Sequence, residues 1–199
     1  MKLSIIGASG HGKVVADIAE KNGYDEIEFF DDDESLKNCG KWPVVGTVNK
    51  ALERSNDVFI AIGNAEIREK IMDCFNGRRF PVLIHPSAVI ANDVEIDEGS
   101  VVMAGAVINP GSKIGKGVIV NTSSSVDHDC IIGDFVHISV GTHLSGTVII
   151  GRGTWIAVGA SVVNNIEICE RVVVGAGAVV VKSIEEQGTY VGVPARKTR

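Results

Sequence analysis

The chain has 199 residues, of which 45 % are apolar and 5 % aromatic, and its formal net charge is −6. That charge argues against a nucleic-acid groove or an anionic membrane surface as partner, and no stretch reaches the roughly 18 consecutive apolar residues of a membrane span. Four cysteines without metal or redox spacing read as reduced thiols, and Met1 to Gly7 run straight into a strand pattern without a signal-peptide core, so a cytoplasmic protein is expected.

Residues 1–83 read as an α/β domain. Lys2 to Ile6 is a short apolar strand, followed by the turn Gly7-Ala8-Ser9-Gly10-His11-Gly12. A helix is predicted from about Lys13 to Asn22, with Val14, Val15, Ile18 and Ala19 inward and Gly23 as its stop. Glu26 to Phe30 is a second strand ending in Asp31-Asp32-Asp33. Cys39 falls in a loop, and nothing is assigned from there to the third strand, Val58 to Ile62, which ends in Gly63-Asn64. Ala65 to Phe75 is another helix. Strand, glycine turn, helix, strand, acid is half of a Rossmann-like unit, with its ligand expected at the carboxyl ends of the strands, beside Ser9, His11, Asp31 and Gly63. Glycines let the backbone approach a pyrophosphate, and a helix N-terminus offers it N–H groups and positive dipole. The spacing is not that of a dinucleotide fingerprint, and the unit is small, so one nucleotide, most simply a nucleotide-sugar, is expected in preference to NAD. A tight turn without ligand and a solvated acidic loop are the plain alternatives.

Beyond residue 83 the pattern changes. From Ile84 to Val180 every sixth residue is Ile, Val or Leu, and four residues after each comes a small or β-branched residue, from Ala88 to Ala178. A helix repeats its apolar residues every three or four positions and a half-buried strand every second. Period six fits a left-handed parallel β-helix of hexapeptide repeats over 84–199, three hexads to a coil. Both registers should point inward and stack on their counterparts 18 residues on.

Residues 121–146 depart from the plain repeat, with Asn121-Thr122-Ser123-Ser124-Ser125-Val126-Asp127-His128-Asp129, then His137, His143 and Gly146. The phase turns Val126 and Cys130 inward and His128 outward. A carboxylate beside an imidazole fixes its tautomer and makes the other nitrogen a better base. His128, flanked by Asp127 and Asp129, is therefore the candidate general base; a surface histidine between solvated acids is the alternative. Gly146 lies 18 residues on, directly below His128 in the stack, where its N–H can face an oxygen becoming negative. His137 and His143 fall near corners able to face a neighbouring subunit. A metal held by the three histidines is a further alternative, but their spacings, 9 and 6, do not repeat at 18, and no metal is expected.

The stretches Gly-Ala-Ser-Gly-His-Gly at 7–12, Phe-Asp-Asp at 30–32, Ile-Ala-Ile-Gly-Asn at 60–64, Asn-Thr-Ser-Ser at 121–124, His-Asp at 128–129, His137-Ile-Ser-Val-Gly and Gly-Val-Pro-Ala-Arg at 192–196 occur in order along nearly the whole chain. In them the chain resembles the nucleotide-sugar acetyltransferases of the left-handed β-helix superfamily. The resemblance is greatest to those that N-acetylate a UDP-4-amino-sugar to give UDP-N,N′-diacetylbacillosamine, with sialic acid O-acetyltransferases and GDP-perosamine N-acetyltransferases as relatives. It implies acetyl-CoA as co-substrate and direct attack of the amine, with His128 as base and Asp129, where the family usually carries Glu, as its activating acid. Ser9, Gly10, His11, Asp31, Asp32, Gly63, Asn64 and Asn121 fall in the matching substrate stretches. His137, Val158 and Ala176 match the acetyl-CoA site. A homotrimer with sites between subunits is implied as well. O-acetylation of sialic acid, N-acetylation of another nucleotide amino-sugar, and a nucleotide-binding scaffold without activity are the competing readings.

Overall fold

The computed structural model describes residues 1–198. Two compact units divide the chain, Met1–Ile84 and His85–Arg199.

The first unit is a five-stranded sheet with three helices. In chain order it holds β1 (Lys2–Ile6), α1 (Gly10–Lys21), β2 (Glu26–Phe30), β3 (Asn38–Cys39), β4 (Trp42–Gly46), α2 (Val48–Leu52), β5 (Asp57–Ile60) and α3 (Ala65–Cys74). The sheet order is β3-β4-β2-β1-β5. Strands β4, β2, β1 and β5 run parallel, and β3 returns antiparallel at the edge. The chain leaves β1 toward β2 and comes back on the other side of β1 as β5. Such a reversal of strand order opens a crevice at the carboxyl ends of β1 and β5. Leu3, Ile5, Phe29, Phe30, Val58 and Phe59 are no more than 1 % exposed, as parallel strands covered on both faces require.

Helix α1 begins three residues before the predicted start. Glycine is a poor helix former, but packing fixes this first turn. A Cβ on Gly12 would stand 2.3 Å from the Gly7 carbonyl oxygen and 2.9 Å from the Phe29 ring, so only glycine lets the helix lie this close to β1. The buried face of α1 is Val15, Ala16, Ile18 and Ala19; Val14, expected inside, is exposed. Strand β5 stops at Ile60, two residues short of its predicted end. The unassigned segment holds β3, β4 and α2, with Cys39 in a strand rather than a loop. Pro43 and Gly46 interrupt the alternation of β4, and α2, five residues long, is too short to show a period.

The second unit is a parallel β-solenoid with three faces and a coil of 18 residues, as in Val107 paired with Ser125 and Ser125 with His143. One face stacks Val89–Ile90, Val107–Ile108, Ser125–Val126, His143–Leu144, Ser161–Val162 and Val179–Val180. The second stacks Glu95–Ile96, Lys113–Ile114, Ile131–Ile132, Ile149–Ile150 and Glu167–Ile168. The third includes Val101–Val102, Ile119–Val120, His137–Ile138, Trp155–Ile156 and Val172–Val174. Every sixth residue from Val102 to Val180 is at most 2 % exposed, and the register from Ser100 to Ala178 is buried with it. Ile90 and Ile96 are only partly covered, because their coil has a neighbour on one side.

Hydroxyls in the small register close the corners. Ser100, Ser112 and Thr154 each donate to a carbonyl 15 residues on (2.8, 2.8 and 3.0 Å) and accept the N–H 18 residues on (2.9, 3.2 and 3.2 Å). Buried hydroxyls are thereby satisfied on both counts. One residue per hexad, from Gly99 to Gly177, takes a left-handed conformation, with φ between 55° and 76°. Ser123, Asp129, Phe135, Thr147, Asn165 and Arg171 hold six of these corners, so the turn itself does not demand glycine. No helix among the described residues is long and apolar enough to cross a membrane.

Candidate functional site

The solenoid corner between Ser125–Val126 and Ile131–Ile132 carries His128 and Asp129. Asp129 sits at the left-handed position, φ 57°, which its short side chain tolerates better than most. The turn aims its carboxylate at the preceding imidazole, and His128 Nδ1 lies 2.8 Å from Asp129 Oδ2. The shorter acid therefore reaches the ring. The hydrogen bond to Asp129 raises the His128 pKa above its ordinary value; partial desolvation opposes the rise, and the charges of Asp127 and Asp129 add to it.

Asp127 does not face the ring. Its Oδ1 accepts the His128 backbone N–H at 2.9 Å and Asn109 Nδ2 at 2.7 Å. Those bonds, Asn109 foremost, hold the Asp127 carboxyl below the usual range. Asn109 escaped the sequence reading, although it lies one coil, 18 residues, before Asp127.

The second imidazole nitrogen, Nε2, lies over Gly146, where a Cβ would approach it to 2.4 Å. The Thr147 N–H donates to the His128 carbonyl at 2.9 Å and locks the two coils in register. Nε2 is the nitrogen with room for an incoming proton, and the ring is 56 % exposed, so a substrate can reach it.

His137 opens a strand on the third face. Its ring stacks on Trp155, with centroids 6.1 Å apart and 15° between planes, and its Nε2 lies 3.2 Å from Asn121 Nδ2. Trp155 is held by a 2.7 Å bond from its Nε1 to Ser139 Oγ and is 47 % exposed. The sequence reading missed it; its signal was again the one-coil register with His137. His143 lies on the first face, 2.9 Å from Ser125 Oγ. The strand Ile131–Ile132 separates His128 from His137, so one chain does not bring the two together. Val158 and Ala176 stand in one exposed column below Val140, coupled by N–H bonds from Gly159 to Val140 and from Gly177 to Val158 at 3.0 and 2.9 Å.

In the first unit the predicted residues gather at the carboxyl edge of the sheet. The Ala8 and Asp33 N–H groups donate to Asp31 at 2.8 and 3.0 Å, so this carboxylate ties the loop after β1 to the end of β2. Asp32 accepts the Val48 N–H at 3.0 Å and caps α2; Asn64 accepts the Ile67 N–H at 3.0 Å and caps α3. Ser9 precedes α1, but its exposed hydroxyl makes no capping bond. Gly10 and Gly63 differ from Gly12, because a Cβ on either would meet nothing within 4 Å. The protein's own packing gives no reason for glycine at these two positions. A pocket of about 320 Å³ borders the same edge, lined by Asp31, Leu36, Val44, Gly46, Thr47 and Lys50 among others.

Desolvation, and then the charge of Arg68, push the His11 pKa down to about 4. His11 is a neutral imidazole at neutral pH. Arg68 is 1 % exposed, and its Nη1 donates to the carbonyls of Ile62 and Gly63 at 2.7 and 2.9 Å, which fixes the loop after β5. Burial lowers its own pKa to about 10. Nothing in the sequence marked Arg68, which stands among Glu66, Glu69 and Lys70 like a solvated charge on a helix. No group of three His, Cys, Asp or Glu among the described residues is placed to hold a metal ion.

Residues 2–75 match the family model described as the PglD N-terminal domain. UDP-N-acetylbacillosamine N-acetyltransferase of Bacillus subtilis (strain 168) is 34 % identical over 110 residues, 51 % of this chain, and the match spans about half (51 %) of that protein's length. Among solved structures, the acetyltransferase domain of PglB from Neisseria gonorrhoeae FA1090 in complex with acetyl coenzyme A is 43 % identical, with a TM-score of 0.95 over 99 % of this chain and 98 % of that one. PerB from Caulobacter crescentus, in complex with CoA and GDP-perosamine, is 35 % identical, with a TM-score of 0.91 over 100 % of this chain and 98 % of that one.

Proposed function

The chain belongs to the hexapeptide-repeat acetyltransferase family, and from that premise we propose that it transfers the acetyl group of acetyl-CoA to the 4-amino group of a UDP-linked amino-deoxy sugar. The observation that carries the reading is the His128–Asp129 pair with Nε2 turned over Gly146. His128 takes a proton from the attacking amine at Nε2, and Asp129 stabilises the imidazolium through Nδ1. The nitrogen attacks the thioester carbonyl, and the backbone N–H of Gly146 faces the oxyanion of the tetrahedral intermediate. Collapse breaks the C–S bond, and the imidazolium returns its proton to the departing thiolate. Holding both substrates in line supplies much of the rate.

In this reading residues 1–83 form a Rossmann-like nucleotide-sugar domain and residues 84–199 a left-handed acetyltransferase coil. The reversal of strand order beside β1 and the open space over Gly10 and Gly63 support a nucleotide among Ser9, Gly10, His11, Asp31, Asp32, Gly63 and Asn64. Asp31, Asp32 and Asn64 already serve the loops, so they act chiefly by shaping the edge. His137, Val158 and Ala176 line the acetyl-CoA site. Because His128 and His137 lie on different faces of one chain, a homotrimer that sets one subunit's His128 near a neighbour's His137 completes the site. Exposed Ile131, Ile149, Trp155 and Val158 suit such packing; sedimentation should give the mass of three chains.

The test follows CoA thiol release from acetyl-CoA with UDP-4-amino-4,6-dideoxy-N-acetylglucosamine, run beside a GDP-4-amino-sugar and free sialic acid. Turnover with the UDP-amine, lost in His128→Ala, is expected. The full-length likeness to PerB favours a GDP-linked amine as the second reading. Turnover with that acceptor alone would replace the first; turnover with sialic acid alone would make the enzyme an O-acetyltransferase.

A further inference from the structure

We propose that Gly111 is a positioning residue of the transfer reaction: it leaves the room in which the Asp129 carboxylate turns to His128. The inference deepens the assignment of His128 as base and rests on it for its catalytic consequence.

Gly111 occupies the corner one coil before Asp129. A Cβ built on it would stand 2.4 Å from Asp129 Oδ1 and 3.6 Å from Asp129 Cα. The Asp129 backbone cannot retreat cheaply, because its N–H is bonded to the Pro110 carbonyl at 2.9 Å, beside Gly111 itself. The movable part is the carboxylate. Turning it away from a new methyl group carries Oδ2 off its 2.8 Å contact with Nδ1. Gly146 provides the matching clearance on the other side, beneath the imidazole. The pair thus lies in a slot between two glycines of the coils before and after it.

Backbone conformation does not account for Gly111. Its φ is 76°, but Ser, Asp, Phe, Thr, Asn and Arg fill equivalent corners at 55° to 60°. Gly141 supplies the internal control. It has φ 61°, and a Cβ there would meet nothing within 4 Å. Alanine at Gly141 therefore carries the left-handed penalty alone, and alanine at Gly111 carries that penalty together with the push on Asp129.

Two readouts separate the roles. The first is an NMR titration of the His128 imidazole, whose charged neighbours are Asp129, at Nδ1, and Asp127, turned toward Asn109. The second is the pH profile of kcat for acetyl transfer. Gly111→Ala should lower the His128 pKa toward that of an ordinary imidazole and reduce kcat about 10- to 100-fold, the scale of a roughly 1 Å misplacement. Gly141→Ala should leave the His128 titration in place. In an Asp129→Asn background Gly111→Ala should cost little more, as for two changes acting through one contact. Gly111→Asn, which tolerates the left-handed corner, carries the same Cβ and takes the place of alanine should the alanine variant fail to fold.

A wild-type His128 titration and kcat in the Gly111 variants would overturn the proposal, as would equal shifts of that titration from Gly111→Ala and Gly141→Ala. Wild-type protein inactive toward every acceptor, with the His128 titration still moved by Gly111→Ala, would refute the acetyltransferase assignment and leave the positioning of Asp129 standing.

Discussion

His11 gives the most quantitative prediction. Its pKa in the folded chain is about 4, against 6.5 for an ordinary imidazole, chiefly because the ring is desolvated and secondly because Arg68 is close. Between pH 6.5 and 4 the unfolded chain binds a proton at this site that the folded chain does not. Stability therefore falls as pH falls through that window, and the loss is complete below the folded value. At 1.36 kcal/mol per pH unit the difference corresponds to about 3 kcal/mol, which the remaining solvent contact of a half-buried ring reduces to about 2 kcal/mol. Carboxylates also titrate in the lower part of the range, so the useful quantity is the difference between wild type and His11→Gln. Urea unfolding from pH 7 to 4, followed by Trp42 fluorescence in a Trp155→Phe background, reports on the first unit, where Trp42 is the sole tryptophan. Wild type should lose about 2 kcal/mol more than His11→Gln over the window. Arg68→Met should narrow that excess by removing the nearby positive charge. Parallel curves for wild type and His11→Gln would refute the reasoning, and with it the neutral imidazole at the carboxyl edge of the sheet.

His128→Ala should reduce kcat by about 100-fold or more, the usual contribution of a general base, while the melting temperature stays put because the side chain is exposed; a variant that still turns over at half the wild-type rate would remove His128 from the mechanism. Asp129→Asn removes the largest cause of the raised His128 pKa. The acid limb of the kcat profile should then move to lower pH as its plateau falls, and a limb that stays in place or moves up would show that Asp129 does not act on the imidazole. Ser112→Ala deletes the hydroxyl that donates to the Asp127 carbonyl and accepts the Cys130 N–H at the corner carrying His128. Urea unfolding should show a loss of about 1–3 kcal/mol from buried groups left unsatisfied, and an unchanged midpoint would mean that the corner closes without it.

The solenoid was legible because its constraint is local and repeated. A coil of three short strands has room inside for one aliphatic and one small residue per hexad, so the interior writes itself into the sequence at period six. The same phase turns His128 outward and sets Gly146 next to it. The role of Asp127 was not legible in the same way. Two acids flank the histidine, and spacing treats them alike. The left-handed corner at Asp129 and the reach of Asn109 from the previous coil decide which of them meets the ring. Trp155 and Gly111 were hidden for a related reason, since each acts on a residue one coil away through a side chain whose direction is not a matter of phase.

In the first unit the strands, the glycine turn and the acidic end of β2 could be read from apolar runs and turn residues. The edge on which they meet could not. Parallel order β4-β2-β1-β5 sets the loops after β1 and β5 on either side of one crevice, and that order depends on long-range pairing that no local pattern encodes. Arg68 is the sharpest case. In sequence it is one charge among several on a short helix; in the fold it is 1 % exposed, bonded to the Ile62 and Gly63 carbonyls, and close enough to His11 to depress its pKa. By itself the sequence determined which residues of the solenoid face inward, because burial of apolar surface repeats there with the backbone. Only the tertiary structure decided which polar groups meet, because a hydrogen bond needs both partners placed to within a few tenths of an ångström, and that placement comes from the elements packed around them.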